Sequence, residues 1–66
     1  MNLQDLKFYA KQMIAGYPKL EYQINDFVQL AIDNIEVGES ENNEAELAIE
    51  SIDELIIQEG QNYKYI

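Results

Sequence analysis

Apolar residues recur along this chain at the three- and four-residue spacing of an amphipathic helix, and they do so in three separate blocks. In the first block, Leu3, Leu6, Ala10, Met13 and Tyr17 form one stripe, widened by Tyr9 and Ile14. Gln4, Lys7, Phe8, Lys11 and Gln12 fall on the other side, so Phe8 stands on a polar face. Asn2 is placed to cap this helix, and Asp5 to favour its N-terminal dipole. Gly16 followed by Tyr17-Pro18 reads as a stop and a restart, predicting a helix over about residues 3–15.

The second block begins where Pro18 suits a first helical turn and continues through Leu20, Ile24, Phe27, Val28, Ala31 and Ile35, with Ile32 beside them. Its opposite ridge carries Tyr22, Asp26, Gln29, Asp33 and Glu36, and Leu30 falls off the main stripe. Gly38 ends this helix, which spans about residues 18–37. The third block has Ala45, Ala48, Ile49, Ile52, Leu55 and Ile56 on its apolar face. Two starts are available to it: Ser40 as the cap, or Asn43 with Glu46 as a capping box. Glu41, Glu44 and Glu46 lie in or near its first turn, where the helix dipole favours them. Glu46, Glu50 and Asp53 then form an acidic row continued by Ile57, with Leu47 and Glu54 beyond it. Gly60 reads as the stop, giving a helix over about residues 42–59. Residues 61–66 lack helical periodicity, and the alternation of Tyr63 and Tyr65 with polar neighbours predicts an extended C-terminal tail lying on the bundle. The expectation is all-α: a small antiparallel three-helix bundle over residues 1–60, with short loops and the tail at 61–66.

Composition narrows what can stabilise such a bundle. A chain of 66 residues makes one small domain, whose core alone seldom supplies more than about 3–5 kcal/mol. Without Cys or His there is no disulfide and no structural zinc site, leaving helix packing, a partner or self-association. At 47% hydrophobic residues the chain is too apolar to be disordered despite its net charge of −9. Its longest apolar runs, such as Phe8-Tyr9-Ala10 and Leu55-Ile56-Ile57, are too short for a membrane span or a secretory signal, so a soluble cytoplasmic protein is expected.

Charge excludes more. Twelve of the 13 Asp and Glu residues lie between Glu21 and Glu59, a stretch with no Lys or Arg. This argues against direct binding to nucleic acid or to an anionic membrane, both of which need basic side chains. Any macromolecular partner is expected to present a basic surface. The acidic ridges have three readings: a solvated face that keeps the protein soluble, a negative surface that docks on a basic patch or imitates nucleic-acid phosphates, or a divalent-metal site. One motif bears on the last. Asp33, Gly38 and Glu44 match positions 1, 6 and 12 of an EF-hand loop, but Ile35 and Val37 supply no oxygen at positions 3 and 5. No metal or other cofactor is therefore expected. Nor is enzymatic chemistry: there is no His, Cys or Arg, Ser40 reads as a cap, and the glycines form no phosphate loop.

Tyr17-Pro18, Ile24 and Asp26, the run Leu30-Ala31 to Glu44, and Ile49, Ser51, Ile52, Leu55 and Ile56 compose a pattern that resembles short, acidic, helical proteins of unassigned function from tailed bacteriophages. The resemblance covers about residues 17–57, leaving Lys7, Lys11 and the Tyr-rich tail outside it. It implies an accessory protein that binds host or phage proteins in the host cytoplasm, and carries over no catalytic residue. Together these features point to a small protein-binding module acting by occupancy. Asp26, Asp33, Glu36, Glu46, Glu50 and Asp53 are expected to steer a basic partner, with Tyr22, Leu30 and Ile57 as apolar anchors. The alternative is a structural subunit whose partner is itself, since Phe8, Tyr22, Leu30, Leu47 and Ile57 leave room for a dimer interface.

Overall fold

All three amphipathic blocks fold as helices. The computed structural model describes the backbone of residues 1–64 and the side chains of residues 1–61. Helix α1 runs Leu3–Gly16, α2 runs Glu21–Glu36 and α3 runs Glu41–Lys64, with a 3-10 turn at Pro18–Leu20 joining the first two. The protein is an all-α bundle, and no described helix is long and apolar enough to cross a membrane.

The helices pack up, down and up. The start of α3 lies beside the start of α1, where the Leu3 N–H donates to the Glu41 carboxylate at 2.8 Å and the Met1 amino nitrogen donates to Asn42 Oδ1 at 2.6 Å. At the other end, Glu59 of α3 lies against the turn from Gly16 to Leu20. A 24-residue helix is about 36 Å long at 1.5 Å per residue, which accounts for most of the molecule's 43 Å long axis.

The core holds one fully buried large side chain from each helix: Leu6, Ile24 and Ile52. Around them sit Leu20 and four alanines, Ala10, Ala31, Ala45 and Ala48, with Leu3, Met13, Phe27, Val28, Ile49, Leu55 and Ile56 packed at the margins. No polar or charged residue is buried among the described residues. The alanines let the helix axes approach closely, because interaxial distance follows the size of the side chains at the contact. The predicted stripes are therefore the buried ones, with one exception. Tyr17 is 38% exposed and serves as the C-cap of α1.

The caps show which local signals prevailed. Asn2 and Asp5 form a reciprocal capping box, with Asp5 N–H donating to Asn2 Oδ1 at 2.9 Å and Asn2 N–H to Asp5 Oδ2 at 3.3 Å. Gly16 is not the stop predicted for α1; it is the last helical residue. The stop comes from Pro18, which drives the preceding Tyr17 out of helical geometry to φ −135°, ψ 66°. Pro18 then opens a 3-10 turn before α2 begins. After α2, Gly38 takes φ 108° and closes a Schellman motif: its own N–H donates to Ile35 O and the Glu39 N–H donates to Asn34 O, both at 3.0 Å. Of the two possible starts for α3, Ser40 is used, its Oγ accepting from the Asn43 N–H at 3.4 Å.

Gly60 does not behave as Gly38 does. The helix passes through it to Lys64, so the extended tail predicted from residue 61 is helical as far as residue 64, and Tyr65 and Ile66 lie outside the described residues. A glycine stops a helix only where it adopts positive φ, and Gly60 does not. Neither glycine would meet a neighbouring atom within 4 Å if it carried a Cβ, so backbone conformation alone separates them. Gly38→Ala is expected to destabilise the fold by about 1–2 kcal/mol because an L-residue is strained there. Gly60→Ala is expected to stabilise it by about 0.5 kcal/mol. Melting temperatures for the two variants should therefore move in opposite directions, the first falling by about 4–8 °C per kcal/mol.

Candidate functional site

All nine residues predicted to meet a partner are exposed: Tyr22, Asp26, Leu30, Asp33, Glu36, Glu46, Glu50, Asp53 and Ile57. They lie on two helices. Tyr22, Asp26, Asp33 and Glu36 line the back of α2, opposite the buried Ile24 and Ala31. There the Gln29 amide donates to Asp33 Oδ1 at 2.9 Å. Glu46, Glu50 and Ile57 line the back of α3, opposite Ala45, Ala48 and Ile52. Glu50, Asp53 and Ile57 border one open depression together with Leu47 and Glu54.

The two backs are separated by the seam of α2 and α3, where the structure opens a shallow groove of about 140 Å³. Its floor is Ala31 and Ala48, and its walls include Phe27, Leu30 and Leu47. Leu30 and Leu47 are 58% and 55% exposed, large apolar side chains left in water on either side of the seam. At one end the groove meets the hydrogen bond from Asn34 Nδ2 to Glu44 Oε1, at 2.7 Å. Of the nine predicted residues only Leu30 lines this groove. Leu47 and Glu54 belong with it, the first as its wall and the second on a depression that continues past Phe27 and Ser51. Their sequence signal was their position off the apolar stripe; that Leu30 and Leu47 face one another depends on how α2 and α3 are aligned.

Asp53 has a structural partner as well as an exposed position. Its carboxylate accepts the Tyr9 hydroxyl, tying α1 to α3. This hydrogen bond, then burial, then the negative charge of Asp53 raise the Tyr9 pKa from 10.0 to about 12. Asp53 thus differs from Glu46 and Glu50, which extend the same row but hold no described contact of this kind. The EF-hand-like trio is dispersed among structural roles: Asp33 lies in α2, Gly38 in the turn, and Glu44 bonds Asn34. No group of three or more potential metal-ligating side chains is gathered among the described residues. The Ser51 hydroxyl donates back to Leu47 O at 2.9 Å, and Ser40 caps α3.

The raised Tyr9 pKa has a sign. The folded state favours the protonated phenol, so the contribution to stability is complete below pH 10 and is lost as pH rises through about 12. The difference in phenolate absorbance between the wild-type chain and Tyr9→Phe should titrate near 12, and Asp53→Asn should bring that midpoint back towards 10. Comparison with protein-family models, with curated proteins and with solved structures gives no match to this chain.

Proposed function

We propose that this protein is a small acidic binding module that docks on a basic surface of another protein and acts by occupying it. The observation that carries this proposal is the arrangement around the α2–α3 seam: exposed carboxylates on the backs of both helices, with exposed leucines between them. Carboxylates in water steer a cationic surface into contact, and the apolar strip supplies area to bury once contact is made. The partner is thereby blocked or tethered, by a surface whose charge imitates that of nucleic-acid phosphates. The setting we propose, from the resemblance over residues 17–57, is that of a phage accessory protein in the host cytoplasm.

A second proposal, self-association, is favoured by Phe8 at 64% and Tyr22 at 79% exposure, on helices other than α3. Sedimentation across a dilution series separates the two: a stable dimer favours the structural subunit, a monomer the binder.

Asp53 is unsuited to a charge-reversal test because Tyr9 depends on it. Asp26→Lys, Asp33→Lys, Glu46→Lys and Glu50→Lys, combined in one variant and checked for helical folding by circular dichroism, should weaken capture of partners from host extract by about tenfold or more. Raising the salt concentration should weaken wild-type capture in the same way. Capture that responds to neither the reversal nor the salt would exclude an acidic docking surface.

A further inference from the structure

We infer that the α2–α3 groove takes a single amphipathic helix whose apolar stripe is flanked by lysines or arginines; this rests on the proposed acidic docking function and names the element it recognises. The groove has a low floor because Ala31 and Ala48 meet at the seam, and Leu30 and Leu47 stand exposed along its sides. Helical spacing sets Asp26 and Asp33 one step outside Leu30, at i−4 and i+3, and Glu50 and Glu54 outside Leu47, at i+3 and i+7. All four carboxylates are exposed. An apolar channel between two acidic rims complements an apolar stripe between two basic rims, the arrangement in which an amphipathic helix lies in a groove. The same charges disfavour a second copy joined groove to groove, since such a pairing would bring the acidic rims of both copies together.

The test uses the full chain and a fluorescent synthetic peptide of leucine, lysine and alanine, with leucines at i, i+4, i+7 and i+11 and lysines on both flanks. A second peptide of identical composition but scrambled order carries the same charge without the stripe. The ordered peptide should bind at least about tenfold more tightly than the scrambled one, by fluorescence anisotropy. Leu30→Gln with Leu47→Gln should abolish that preference while leaving the weaker, salt-sensitive binding common to both peptides. Both side chains are more than half exposed, so the glutamines fit the fold, which circular dichroism verifies. Glu50→Gln with Glu54→Gln provides an independent check and should weaken the ordered peptide severalfold. Equal binding of the two peptides, or a preference that survives the leucine substitutions, would overturn the groove while leaving the acidic docking function standing. Absence of binding by either peptide would overturn both. A dimer that dissociates on substitution of Leu30 and Leu47 would assign the groove to a second copy and overturn the inference.

Discussion

A carboxylate leaves water only at a high free-energy cost unless it is paired, and this chain offers its carboxylates almost no cations. Twelve of them occupy the stretch from Glu21 to Glu59, which contains no Lys or Arg. None of the acidic residues is buried. The outward faces of α2 and α3 follow from this requirement, and so does the composition of the core. Once the acidic positions are turned to solvent, each helix has only a narrow apolar stripe to offer, with alanine at half of the eight positions buried among the described residues. Close helix approach compensates for small side chains by increasing their mutual contact.

Where carboxylates do make contacts between elements, they accept from uncharged groups of the protein. Glu41 accepts the Leu3 N–H, Glu44 accepts the Asn34 amide, and Asp53 accepts the Tyr9 hydroxyl. The first contact also settles a problem of topology. An up-down-up bundle sets the N-terminal ends of α1 and α3 side by side, and both ends carry partial positive charge. Glu41 places a negative charge between them and satisfies one of the N–H groups that α1 leaves unpaired. These three side chains link elements of the bundle, whereas Asp26, Glu46, Glu50 and Glu54 make no such contact among the described residues.

That division gives the acidic surface its functional interest. Carboxylates with no contact between elements among the described residues lie beside exposed leucines at the α2–α3 seam, where a partner can bury apolar area while its cations meet the rims. Gly38 contributes by reversing the chain so that α2 and α3 lie against each other. The two ridges it brings together lie on either side of an apolar groove.

The sequence by itself determined the helices, their buried faces and the residues left over. Helical periodicity is local, and an apolar stripe must be buried whatever covers it, so Leu6, Ile24 and Ile52 could be assigned to the core and Phe8, Tyr22, Leu30, Leu47 and Ile57 to the surface from spacing alone. Helix ends were less legible because glycine permits a stop without imposing one: Gly38 takes positive φ where the chain must turn, Gly60 continues the helix, and Gly16 yields its expected role to Pro18. Only the tertiary structure decided which distant residues meet. The pairing of Tyr9 with Asp53, of Leu3 with Glu41 and of Leu30 with Leu47 across the seam depends on the axial alignment of packed helices. That alignment is set by how side chains interlock between helices, and the spacing within any one helix contains no record of it.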